Sequence, residues 1–354
     1  MAALFTQSKP EAGLAAPEQR LAMANWDYSW ILRSQGASED EYHLLPRRMD
    51  ELVERGFNAL TLDAWPHLVA PARDGSEQSA FEILPHRVKG KRRGSELKRQ
   101  IHPREKLLRV AQVAKEKGVE LWLTSWLLPD TLSRRSEVRA PEDFVRIWHD
   151  TLEFLYQNQA LDAVKAVDFA HQFPSLPSGY GAWNQLFSRA PQWSRRYWRA
   201  RGPGDMARVD DYLVSIPQRL KTLYPHIRMG LSMSANLAMQ TRGLNFSELD
   251  FADLQLPLLR TRWHSRAEVQ RQISTHCVFC QMQKMTPVLS STAASLPEKI
   301  TLPDVCRLSE KGVDMALEAG VQVINLSHQA KPQFALWDEV AWLQQINRRI
   351  REGK

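Results

Sequence analysis

Cysteine is scarce in this chain, with three among 354 residues. That is too few for a disulfide framework and consistent with a reducing compartment. Long apolar runs are also missing, and none approaches the roughly 18 residues that span a bilayer. The opening stretch Met1 to Pro17 carries Gln7, Lys9, Pro10 and Glu11 where a secretory signal needs an apolar core. A cytoplasmic protein with no membrane partner is therefore expected. A strong excess of one charge is absent too: 47 Lys and Arg stand against 40 Asp and Glu, a net charge of +7. With 43% hydrophobic and 25% charged residues, disordered, collagenous and coiled-coil classes are excluded.

The basic residues are scattered except between Arg87 and Arg104, where Lys89, Lys91, Arg92, Arg93, Lys98 and Arg99 crowd a glycine-containing stretch. Such a run reads as a solvated loop, so a nucleic-acid partner is not expected. An interaction or scaffold protein that uses the 87–104 loop to hold an acidic partner is kept as an alternative. Cys277 and Cys280 form a C-x-x-C with His276 beside it, but no second pair follows. Zinc needs four converging ligands, so these are read as buried helix cysteines. His67, His171, His264 and His328 fall on different units without metal-ligand spacing. No metal and no cofactor are expected.

What is present is a repeated unit: a short apolar run rich in β-formers, a polar or aromatic turn, then a stretch with helical periodicity. This alternation argues for parallel strands with crossover helices. Strands are expected at Leu21 to Ser29, Ala59 to Asp63, Val119 to Ser125, Ala163 to Phe169, Ile227 to Met233, Phe251 to Leu256, Pro287 to Ser291 and Val321 to Leu326. Helices are expected at His43 to Arg55, Arg104 to Lys117, Pro141 to Tyr156, Met206 to Leu223, Leu302 to Ala319 and Leu336 to Arg351. Gly56, Gly118 and Gly320 act as stop signals. Eight units without a switch in connection pattern predict an α/β fold, a single (β/α)8 TIM barrel over 21–354 after an N-terminal arm of 1–20. An aromatic insertion follows strand four, from Pro174 to Arg201, with Trp183, Trp193, Tyr197 and Trp198; it is expected to cover the barrel mouth.

A barrel builds its site at the C-terminal ends of its strands. Those ends carry Trp26, Asp27 and Trp30, then Asp63, Trp65 and His67, Trp126, His171 and Gln172, Asn236, and His328. Indoles interleaved with amides, carboxyls and imidazoles suit a sugar, whose apolar face stacks on a ring while its hydroxyls need fixed partners. A polar, aromatic-rimmed pocket for an oligosaccharide or polysaccharide is the resulting expectation.

Several segments carry a specific resemblance. Trp26 to Trp30, Leu62-Asp63-Ala64-Trp65-Pro66-His67-Leu68, Phe173-Pro174 after Val167-Asp168, and Pro332-Gln333-Phe334 with Leu336-Trp337-Asp338-Glu339-Val340-Ala341-Trp342 resemble the cellulase-like branch of glycoside hydrolase clan A. The resemblance runs from about residue 22 to 351. It implies a barrel directed at β-linked saccharides and retaining hydrolysis by two glutamates, an acid/base after strand four and a nucleophile ending strand seven. Such a pair stands roughly 5 to 5.5 Å apart. At the matching positions this sequence has His171-Gln172 and Thr292. Gln172 cannot protonate a leaving oxygen, and Thr292 is a poor nucleophile without an adjacent base. The resemblance thus implies a carbohydrate-binding pseudoenzyme. The alternative is a glycosidase with relocated carboxylates drawn from Asp27, Asp63, Asp130 or Glu298.

Overall fold

The structure is a computed structural model that describes residues 19–26, 40–84, 86–88, 91–93, 99–173, 203–234, 243–256, 266–291, 301–326 and 336–354. Its elements run β1 (Leu21–Trp26), α1 (Asp40–Glu54), β2 (Ala59–Asp63), α2 (Pro66–Val69), β3 (Phe81–Ile83), β4 (His86–Val88), β5 (Lys91–Arg93), β6 (Arg99–Ile101), α3 (Pro103–Lys117), β7 (Glu120–Thr124) and α4 (Pro141–Gln157). Then follow β8 (Val164–Phe173), α5 (Pro203–Leu223), β9 (Arg228–Ser234), β10 (Phe251–Leu256), α6 (Arg266–Met282), β11 (Thr286–Ser291), α7 (Leu302–Glu318), β12 (Val323–Leu326) and α8 (Val340–Glu352).

Eight of the strands close on one another in the order β1-β12-β11-β10-β9-β8-β7-β2. All eight pairings are parallel. This is the (β/α)8 barrel that the repeated units predict. Strands in such a barrel are covered on both sides, which is why β2 reads as a short, wholly buried run. The outward residues of the strands meet the apolar faces of the helices. In α6 those are Val269, Ile273, His276 and Cys280, spaced at helical intervals and buried. Cys277 and Cys280 are accordingly helix thiols whose ionisation burial pushes up, Cys277 to about 11. The end of α1 and the segment before α8 are locked by the Arg55 guanidinium, which donates to the Trp337 carbonyl and lies 4.5 Å over that indole.

Inside the barrel, Leu21, Met23, Ala59, Trp122, Ala166, Phe251, Val288 and Val323 form a separate apolar plug. Trp122 and Phe251 meet there at 4.7 Å. Gly230 faces them, and a Cβ at that position would lie 2.4 Å from the Phe251 carbonyl oxygen, so only glycine fits. Side chains on a strand alternate between faces, so the positions two residues further along point into the barrel above the plug. They are Asn25, Thr61, Thr124, Asp168, Ser232, Asp253, Ser290 and Asn325. An apolar floor thus gives way to a wholly polar ring toward the mouth.

Two expectations need correction. Strand four extends to Phe173 rather than ending at Phe169, so His171 and Gln172 belong to β8 itself. The basic segment is not a plain solvated loop, because its described parts pair into two antiparallel ladders, β3 with β6 and β4 with β5. Charge content concealed the alternation of Phe81, Ile83 and Ile101, which are buried. The ladders are tied to the mouth by the amide of Leu84 donating to Pro129 and that of Thr131 donating to Glu82. The arm 1–18, the insertion 174–202 and the linker between β4 and β5 lie outside the described residues.

Candidate functional site

The centre of the mouth is built by an irregular strand. In a regular strand residues i and i+3 face opposite sides, yet Asp168 and His171 meet, with Nδ1 2.7 Å from Oδ2. The register of β8 against β9 shifts between Asp168 and Ala170 and again between Ala170 and Phe173, and these bulges turn His171 back toward Asp168. Carbonyls in the distorted segment are satisfied by hydroxyls: Ser125 donates to Phe169 at 2.8 Å and Tyr212 donates to the same oxygen at 3.2 Å. The backbone amide of Ser232 donates to Asp168 Oδ1 at 3.2 Å.

Ser232 Oγ also lies 3.0 Å from His171 Nδ1. Aspartate, histidine and serine here are not a nucleophilic relay, because such a relay needs the serine on the opposite ring nitrogen from the carboxylate. The carboxylate instead fixes Nδ1 as the protonated nitrogen and leaves Nε2 as the atom that can meet a ligand. The Trp126 ring stands 5.3 Å from the imidazole, tilted by 51°, and is 7% exposed at the edge of the main core.

Across the mouth, Ser290 Oγ donates to Asp253 Oδ2 at 2.7 Å. Asp253 Oδ1 is buried with no hydrogen-bond partner among the described residues. Burial pushes the Asp253 carboxyl up to about 7; the nearby Asp168 charge adds to this, while Ser290 and His171 oppose it. Asn325, one strand beyond Ser290 and paired with it in register, is 3% exposed, and its Oδ1 likewise has no partner among the described residues.

The other sequence-selected residues have different places. Asp63 is buried, and its Oδ1 accepts from the amides of Trp126 at 2.8 Å and Trp65 at 3.2 Å. Burial holds its carboxyl well above the usual range. Trp65 takes a left-handed conformation with φ 45, and its indole is 0% exposed within the main core. His67 Nε2 donates to the Leu128 carbonyl at 3.0 Å, and burial lowers its pKa to about 3, so the ring is neutral. Trp65 and His67 therefore brace the strand-two turn rather than face the mouth, where their neighbours in sequence placed them. Asp130 is equally occupied: its carboxyl accepts from the amides of Leu132 and Arg134 and caps the turn there. Trp26 is half-buried at the end of β1. Asp27, Trp30, the Gln172 side chain, Asn236, His264, Thr292, Glu298 and His328 lie outside the described residues.

Asp253, Ser290 and Asn325 are not among the site residues selected from the sequence. The signal was available in β10 and its neighbours, since Asp253 is the polar residue two positions after the plug residue Phe251. Among the described residues no group of three or more His, Cys, Asp and Glu is arranged to hold a metal ion. None of their helices is long and apolar enough to cross a membrane.

Comparison with known proteins bears on the fold. A solved protein assigned to the glycoside hydrolases, from Parabacteroides distasonis ATCC 8503, superposes with a TM-score of 0.74 at 18% identity, covering 95% of this chain and 94% of that one. The endo-β-1,4-mannanase from Thermotoga petrophila superposes with a TM-score of 0.56 at 10% identity, over 95% and 78% of the two chains. ZgEngAGH5_4 in complex with a cellotriose gives 0.55 at 12% identity, over 92% and 94%. At these identities the likeness is one of fold. A search of the curated proteins found no match. The family model described as sugar-binding cellulase-like matches residues 23–264. With more than half of its length matched by that model, the chain belongs to the sugar-binding cellulase-like family.

Proposed function

We propose that this barrel binds a β-linked saccharide at its mouth and does not carry out the two-glutamate retaining hydrolysis of cellulase-like enzymes. The observation that carries the reading is the set of carboxylates on the barrel strands. They are Asp63, Glu120, Asp168 and Asp253, and the single glutamate, Glu120, opens β7 at the end of the barrel away from the mouth. β11 runs Thr286–Ser291 without an acid, and Thr292 is the next residue, which supports the register that sets Thr292 at the nucleophile position. Losing either member of such a pair removes orders of magnitude in rate, at about 1.4 kcal/mol of barrier per factor of ten.

Relocated carboxylates are less well supported, because Asp63 and Asp130 are engaged in holding backbone amides. The cellotriose held by one structural relative supports a saccharide as the ligand class. Trp126 would supply the stacking face, with His171 and Trp26 around it, and Asp27, Trp30, Gln172, Asn236 and His328 as further contacts at the strand ends. The test is calorimetric titration of the full chain with β-1,4-linked gluco- and manno-oligosaccharides. Binding that weakens in Trp126→Ala is expected, and absence of binding at millimolar concentration throughout the series overturns the reading.

A further inference from the structure

The side of the mouth opposite His171 contains a cluster that the saccharide reading does not use. Asp253, Ser290 and Asn325 sit on the consecutive strands β10, β11 and β12. Ser290 satisfies one oxygen of Asp253 and leaves the other, Oδ1, buried without a partner among the described residues. Asn325 Oδ1 is a second such acceptor. A buried polar atom without a partner forfeits the hydrogen bond it would make to water, so two in one cluster mark a place for a donor. The barrel strands supply no cation there: Lys165 and Arg228, their only basic side chains of Lys or Arg type, lie at the starts of β8 and β9, on the plug side. Arg228 is turned to Trp122, 5.1 Å from its centroid. Asp168 adds a second carboxylate to the same ring and lies 2.7 Å from His171. Among the described residues the cluster is therefore rich in acceptors and poor in cations.

We propose that Asp253 and Asn325 form a subsite for a protonated amino group on the bound saccharide, so that the preferred ligand is a β-linked oligomer containing free amino sugars. An ammonium carries three donors and no acceptor, which matches two unpartnered oxygens and leaves one donor for the neighbouring ring of hydroxyl and amide groups. It also supplies the positive charge that the cluster lacks, and the buried carboxyl then ionises on binding. A neutral hydroxyl makes fewer of these contacts, and an N-acetyl group brings an acceptor and a methyl to a site that needs donors. The inference rests on the saccharide-binding reading and narrows its substrate class.

The test is calorimetric titration of the full chain, at about pH 7, with three tetramers of the same linkage: β-1,4-glucosamine, its N-acetylated form, and cellotetraose. The glucosamine oligomer is expected to bind at least about tenfold tighter than the other two. Asp253→Asn is expected to bring the three ligands within about twofold of one another, and Asn325→Ala to reduce the preference by several-fold; circular dichroism confirms that each variant is folded. Equal binding of the three ligands by the unaltered protein overturns the inference while leaving the saccharide reading in place. A preference that survives in Asp253→Asn overturns it as well. Failure of all three ligands to bind overturns the inference, and the saccharide reading with it when manno-oligosaccharides fail to bind as well.

Discussion

Replacing Asp253 with asparagine should make the protein less sensitive to alkali, and the size of the effect follows from the burial of the carboxyl. In the folded chain its pKa is raised from 3.8 to about 7. The folded state therefore binds a proton more tightly than the unfolded state, and stability declines as pH rises from about 4 through about 7. Each pKa unit corresponds to about 1.4 kcal/mol, so this one group withdraws about 4 kcal/mol between those limits. Asparagine keeps an oxygen that can accept from Ser290 and has no charge to desolvate. Urea unfolding of both proteins at about pH 4.5 and about pH 8 isolates the difference, because every other titrating group is common to them. The stability of Asp253→Asn relative to the unaltered chain should rise by about 3 to 4 kcal/mol between the two conditions. A difference that does not change with pH, or that shrinks toward pH 8, would refute the assignment of Asp253 as a buried acid.

His67 should show the opposite dependence. Its folded pKa of about 3 lies below the ordinary 6.5, so the neutral ring is favoured by folding and stability is lost as pH falls below about 6.5. His67→Gln, which retains a donor for the Leu128 carbonyl, should flatten that acid limb; thermal melts at about pH 7 and about pH 4.5 check this, and an unchanged limb counts against it. Gly230→Ala should lower stability by about 1 to 3 kcal/mol or more, since its Cβ would meet the Phe251 backbone and the plug has no slack. Denaturant midpoints measure that, and a neutral result would mean the plug is packed differently. Asp63→Leu should cost about 2 to 4 kcal/mol by stripping the amides of Trp65 and Trp126 of their shared acceptor, whereas Asp63→Asn should cost far less. Equal effects of the two substitutions would show that the hydrogen bonds are not what Asp63 contributes.

The barrel was legible in the sequence because each strand is an apolar run and several helices are closed by punctuation such as Gly118, which takes φ 66 and caps α3. The strand limits were read to within a few residues, and Phe251–Leu256 without error. What periodicity could not show was the distortion of β8. Bulges are set by pairing with β9 and by the hydroxyls of Ser125 and Tyr212, which are remote in sequence. The ladders β3 to β6 were hidden for a different reason, because short strands dominated by Arg and Lys carry little alternation. At the site, Trp126 and His171 lie 5.3 Å apart, whereas Trp65 and His67 are buried in the turn after β2. A left-handed turn at Trp65 folds both into the core, and no local pattern signals that turn in a tryptophan. Asp253 and Asn325 stood one alternation above the plug, a relation that becomes visible once the plug residues of all eight strands are known.

The most direct test of the central claim is to incubate the full chain with β-1,4-linked gluco- and manno-oligosaccharides that it binds and to follow the anomeric protons by NMR. The account predicts intact oligosaccharide at concentrations that saturate the mouth. New reducing ends of retained configuration, formed at a rate proportional to the protein, would contradict it and show that a working carboxylate pair stands at the mouth after all.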